Sequence, residues 1–148
     1  MTTDHQAPLV VGWREWVALP ELGIQRLKVK VDTGARSSAL HAYFVEPFSR
    51  NGKRWVRFGI HPVQGCEEPA VICEAPMHDR RRVRDSGGHE EMRPVILTEV
   101  TLGDRRWPIE VTLTNRDSMK FRMLLGRTAL KSDYLVAPDR SYICGKPR

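Results

Sequence analysis

Leu27-Lys28-Val29-Lys30-Val31-Asp32-Thr33-Gly34-Ala35 alternates apolar and basic side chains and then breaks into a turn. The period of two predicts a strand with Leu27, Val29 and Val31 against a core and the lysines in water. A strand of that kind ends by delivering the Asp32 carboxylate into a turn. Gly34 lets the backbone approach a ligand or a second copy of itself, and the Thr33 hydroxyl can bond neighbouring backbone and steady the turn. Acid and base work by paired carboxylates needs two such groups, yet the Asp-Thr-Gly string occurs once. The plain alternative is an ordinary strand-to-turn junction, because Asp, Thr and Gly all favour turns.

Outward from this stretch the chain reads as mostly β. Short alternating segments rich in β-branched and aromatic residues recur between turn signals, and no long stretch keeps helical spacing. Val10 to Val17 is an expected strand, ended by a turn at Pro20-Glu21-Leu22-Gly23. Ala42 to Val45 and Trp55 to Ile60 flank Asn51-Gly52, a pair suited to the positive φ angles of a tight hairpin. From Pro62 to Arg93 the pattern weakens, which predicts a long protruding hairpin or loop. Pro94 to Leu102 and Trp107 to Leu113 form another expected hairpin around Gly103-Asp104. Phe121 to Leu125 reads as the last core strand, Gly126 to Lys131 as one short helix, and Tyr134–Ala137 with Ser141–Cys144 as a closing hairpin around Pro138-Asp139.

The 148 residues suit one domain, with residues 1–8 expected as a flexible tail. No apolar run is long enough to span a bilayer, and the N-terminus lacks the pattern of a secretory signal, so a cytoplasmic protein without membrane contact is expected. Cys66, Cys73 and Cys144 are odd in number and contain no CxxC pair, which argues against a disulfide framework. The net charge is +6, and Arg80, Arg81, Arg82 and Arg84 crowd into five positions. No aromatic interleaving or nucleic-acid module accompanies this cluster, so nucleic acid is not an expected partner. An acidic peptide suits it, and so does a plain solvated hairpin.

Two separated features belong together: the strand ending in Asp32-Thr33-Gly34-Ala35 and, about ninety residues on, Leu124-Leu125-Gly126-Arg127 leading into a short helix. The pair resembles the retropepsins, single-domain aspartic peptidases. Val11-Gly12-Trp13-Arg14-Glu15-Trp16-Val17-Ala18-Leu19-Pro20, Val31 to Ala42 and Phe121 to Arg127 are similar to a bacterial retropepsin-like family often labelled ATP-dependent zinc protease. The resemblance implies an all-β closed barrel with a flap hairpin, in the stretch from about Cys73 to Arg93, and one short helix near the C-terminus. It implies catalysis by Asp32, Thr33 and Gly34, with Leu124, Leu125, Gly126 and Arg127 as structural support. It also implies association with ATP-grasp glutamate ligases acting on ribosomal protein S6 or related targets, and a role in trimming acidic tails.

With one Asp-Thr-Gly per chain, the direct way to assemble a carboxylate pair is a homodimer with Asp32 from each subunit on the two-fold axis. The string Asp85-Ser86-Gly87 reads as a loop tip rather than a second catalytic loop, because no apolar strand leads into it. Ala35, Arg36, Arg80, Arg82, Ser86 and Gly87 are the candidate substrate-binding residues. Viral retropepsins commonly place an acidic residue where this chain has Arg36, so Arg127 is expected to find another carboxylate. Arg36 is then free to receive a carboxylate of the substrate, or it pairs with a nearby acid. No metal ligand is expected. His89-Glu90-Glu91-Met92-Arg93 has Arg where an HExxH motif has its second histidine, and no pair among His41, His61, His78, His89, Cys66 and Cys73 has a recognised ligand spacing. The zinc of the family label and a non-catalytic role in binding acidic tails stay open as alternatives. No phosphate-cradling glycine loop occurs, so ATP dependence would come from a partner.

Overall fold

The computed structural model describes residues 7–84, 87–115 and 120–147. Eleven strands carry the fold: β1 Leu9–Leu19, β2 Ile24–Asp32, β3 Ser38–His41, β4 Phe44–Arg50, β5 Lys53–Ile60, β6 Val71–Pro76, β7 Asp79–Arg84, β8 Glu90–Leu102, β9 Arg105–Thr114, β10 Met123–Gly126 and β11 Tyr134–Ser141. One helical turn, α1 Arg127–Leu130, follows β10.

Strands β1, β2, β10, β3, β9 and β8 lie side by side in that order, and the pairing of Ala18 with Thr101 closes them into a barrel. Closure covers the edges of β1 and β8 at that pairing and leaves the remainder of each strand open to a further partner. Outside the ring, β11 adds to β1 in parallel and β7 adds to β8 antiparallel. A separate sheet, β4-β5-β6, packs its inner face into the same core, with Val56, Phe58, Ile60, Cys73 and Ala75 buried. In β2 the expected alternation holds: Leu27 and Val29 are fully buried and Val31 nearly so. Each fully buried side chain of this size contributes roughly 1.5–3 kcal/mol.

The Asn51-Gly52 hairpin forms between β4 and β5, with positive φ at both residues. The β8/β9 hairpin also forms as expected. Three expectations need correction. The stretch from Pro62 to Arg93, expected as one long hairpin or loop, holds the β7/β8 hairpin and also β6, which pairs with β5 in the separate sheet. Ser38–His41, not expected as a strand, pairs with both β9 and β10. The closing hairpin is replaced by the single strand β11, which runs through Pro138 to Ser141. Proline is tolerated there because β11 is an edge strand. The chain turns later, with Tyr142 at φ 54° and Gly145 at φ 73°.

Gly12 permits this docking of the C-terminal segment. A Cβ on Gly12 would lie 2.3 Å from the Arg140 carbonyl oxygen. Glu15, fully buried, completes the clasp by accepting backbone N–H groups from Gly12, Ile143 and Cys144 at 2.6, 3.0 and 3.2 Å.

Candidate active site

The two sequence features that belong together meet through β10. This strand lies parallel to β2, with Leu125 opposite Val31 and Gly126 opposite Asp32, and antiparallel to β3, with Leu124 opposite Ala39. It is threaded between two strands that are neighbours in sequence, so the turn joining them, Thr33 to Ser37, arches over the end of β10. Met123 and Leu125 are fully buried. The structure therefore brings together Asp32, Thr33, Gly34, Ala35, Arg36 and the supporting Leu124-Leu125-Gly126-Arg127.

Inside the turn, the Gly34 N–H donates to Asp32 Oδ1 at 3.0 Å and the Ala35 N–H to the Asp32 carbonyl at 3.1 Å. One carboxylate oxygen is thereby oriented, while Asp32 stays half-buried and Thr33 and Gly34 are exposed. The start of α1 fastens the outer side of the turn. Arg127 N–H donates to the Ala35 carbonyl at 2.9 Å, Arg127 Nη1 to the Gly34 carbonyl at 3.2 Å, and Thr128 Oγ1 to the Arg36 carbonyl at 2.7 Å. Gly126 is required by close approach, since a Cβ there would lie 2.5 Å from the Ser37 carbonyl oxygen.

Arg127 does not find the carboxylate expected for it. Among the described residues it bonds instead a backbone carbonyl of the Asp32 turn, a role that needs no acidic partner. Arg36 is exposed, and no carboxylate of the described residues pairs with its guanidinium. No second acid side chain among the described residues bonds Asp32, so the described chain presents a single carboxylate at this turn.

The arginine cluster lies on β7. Arg81 is engaged within the fold, bonding Glu110 through two nitrogens at 2.7 and 2.9 Å and Asp79 at 2.6 Å. Its guanidinium holds the Glu110 carboxyl below the usual range, and the Arg80 backbone N–H, helped by Arg81, does the same for Asp79. Arg84 pairs with Glu90 at 2.6 Å, and Arg82 stands 3.6 Å from the same carboxylate while largely exposed. Arg80 carries an exposed side chain without a described acidic partner. Gly87 lies at the tip of the β7/β8 hairpin, whereas Asp85 and Ser86 lie outside the described residues.

The described donor side chains are engaged separately rather than gathered around a zinc ion. His61 stacks on Tyr43 at 4.1 Å, His78 bonds Glu110 at 3.0 Å, and the Cys73 thiol bonds the Leu22 carbonyl. Among the described residues no three His, Cys, Asp or Glu side chains gather into a group able to hold a metal ion, so these residues do not fit one.

Sequence reading missed Ser38 and Glu15. Ser38 is fully buried and its Oγ accepts the Gly126 N–H at 3.0 Å, but no periodic signal marks it. Glu15 did leave a signal, since it shares the inward parity of Val17 on β1.

The model for the retropepsin-like aspartic endopeptidase RimB matches residues 10–147. Proteins named probable alpha-L-glutamate ligase from Shewanella pealeana and Parasynechococcus marenigrum are each 44% identical over 137 and 140 residues, covering 93% and 95% of this chain. The chain spans only 30% of the length of these relatives. A Legionella pneumophila protein of unknown function has a similar solved structure, with a TM-score of 0.75 and 27% identity over 92% of this chain and 98% of that one. The threaded β10, the Asp32 turn and a family match over nearly the whole length agree, and the chain belongs to the RimB-like family of retropepsin-like aspartic endopeptidases.

Proposed function

We propose that this chain cleaves acidic, glutamate-rich protein or peptide tails, using a pair of Asp32 carboxylates contributed by two copies of the chain. The observation that carries the proposal is the turn itself: the Asp32 turn is held by both halves of the chain, and no described carboxylate pairs with the guanidinium of Arg36 four residues on. One carboxylate takes a proton from a water held between the pair while the other, protonated, donates to the scissile carbonyl oxygen. Two like charges about 3 Å apart resist simultaneous ionisation, which keeps one aspartate neutral and ready to donate. Arg36 recruits a substrate carboxylate through a two-pronged contact. The relatives named probable alpha-L-glutamate ligase support the choice of glutamate-bearing tails; an ATP-grasp ligase as functional partner, S6-type tails as the target and a cytoplasmic setting are parts of the same proposal.

Incubating wild-type and Asp32→Asn protein with oligoglutamylated and plain peptides, followed by mass spectrometry, tests the reading. Cleavage of the acidic peptides by wild type only is expected, together with a dimer in sedimentation. Equal cleavage of both peptide classes, or an Arg36→Glu enzyme that handles acidic peptides as well as wild type, overturns the substrate assignment. Activity from a protein that stays monomeric with substrate present overturns the shared pair.

A further inference from the structure

A cleft of about 300 Å³ opens between the three-stranded sheet and the β7/β8 hairpin, away from the Asp32 turn. Pro47 and Arg54 line one side, Arg80, Met92 and Pro94 the other, and Leu113 contributes apolar surface near the end of β9. Arg54 lies at the inward parity of β5, two residues before the buried Val56, so the strand carries its cation on the core-facing side at the margin of the sheet. Arg80 shares its face of β7 with Arg82, opposite Pro94 and Met92 on β8.

The charges in the cleft do not cancel. Glu91 is already neutralised by the buried Arg93 at 2.6 Å and accepts the Thr114 hydroxyl at 3.0 Å. Arg54 and Arg80 are exposed, and neither guanidinium pairs with a described carboxylate. Two uncompensated guanidinium groups flanking an apolar surface suit a peptide that carries carboxylates on an aliphatic stem.

We propose that this cleft is a second substrate-binding site, in which Arg54 and Arg80 hold the carboxylates of an acidic peptide segment. The proposal rests on the acidic-substrate reading above and adds a distance to it. β3 starts beside the catalytic turn and runs parallel to β9, with Ser38 opposite Val111 and His41 opposite Thr114. At about 3.3 Å per residue the cleft end of these strands lies roughly 10 Å from their catalytic end. A substrate reaching both sites therefore needs an acidic run of several residues, and a single glutamate fills only one.

The test uses full-length Asp32→Asn protein titrated with fluorescein-labelled peptides of two and eight glutamates at low salt, read by anisotropy. The longer peptide is expected to bind more tightly, and Arg54→Glu/Arg80→Glu to weaken it by about tenfold or more. Arg26→Glu/Arg140→Glu, an equal charge change at exposed positions elsewhere, is expected to weaken it by less than about twofold. Equal weakening by both double variants overturns the cleft in favour of diffuse charge. Undiminished binding by the cleft variant overturns it while sparing the acidic-substrate reading, and failure of Asp32→Asn protein to bind any acidic peptide overturns both. If the reversed variant does not melt as a folded protein, Arg54→Gln/Arg80→Gln takes its place, with a loss of about fivefold expected and no loss counting against the site.

Discussion

The buried Ser38 hydroxyl accepts a hydrogen bond from the Gly126 backbone N–H at 3.0 Å, joining residues 88 positions apart in the chain. The Gly126 N–H faces a site from which water is excluded, so the bond fixes the height of β10 relative to the Asp32 turn. Ser38→Ala leaves that donor without an acceptor, at a cost of about 1–3 kcal/mol. The turn over Gly126 should loosen with it. We expect a lower melting temperature and a fall in kcat larger than the rise in KM, measured on one acidic peptide; unchanged kcat would show that Ser38 does not position the turn.

Gly126→Ala is a harsher change at the same junction. The new methyl would meet the Ser37 carbonyl at 2.5 Å, and backbone on both sides prevents easy relief. A loss of about 2–4 kcal/mol is expected, with the Asp32 turn displaced and activity lost even where the protein stays folded. Thermal melts paired with activity assays check this.

Glu15 supports a different region. Its buried carboxylate accepts three backbone donors and holds residues 143 and 144 against β1. Glu15→Gln turns one acceptor into a donor facing N–H groups, for a loss of about 3 kcal/mol. Faster hydrogen exchange at the end of β11, with the Asp32 turn protected as in wild type, is the expected pattern.

Burial pushes the Cys73 and Cys144 thiols up to about 11, while Cys66 is exposed on a loop. At pH 8 a thiol reagent should label Cys66 quickly, the half-buried Cys144 more slowly and the buried Cys73 only after unfolding. The sign of the linkage follows from the neutral thiol being favoured in the fold. That stabilisation is complete below the ordinary thiol value of 9.0 and disappears as pH rises to about 11. Replacing Cys73 with Ala should flatten the alkaline fall in melting temperature over that window.

Much of the candidate site was legible in sequence because its signals are local. Leu27, Val29 and Val31 announce a strand by their period, Asp32-Thr33-Gly34 announces a turn, and Gly126 followed by a helical stretch announces the supporting element. The partner of Arg127 was not legible, since choosing between a carboxylate and the Gly34 carbonyl depends on the distance from α1 to the turn. Arg54 was invisible for a similar reason. As one arginine in an alternating strand it looks like any solvated residue, and only the approach of β7 and β8 makes it one wall of a cleft.

What the chain's sequence by itself determined is the β-strand pattern, the single Asp-Thr-Gly turn and the family, all of which rest on neighbouring residues or long contiguous strings. Tertiary structure alone decided that β10 threads between β2 and β3, that β11 runs beside β1 rather than folding on itself, and that two arginines face one cleft. The physical reason is that strand pairing satisfies backbone hydrogen bonds with whichever edge is open. Which edge is open is a property of the assembled barrel, not of any local segment.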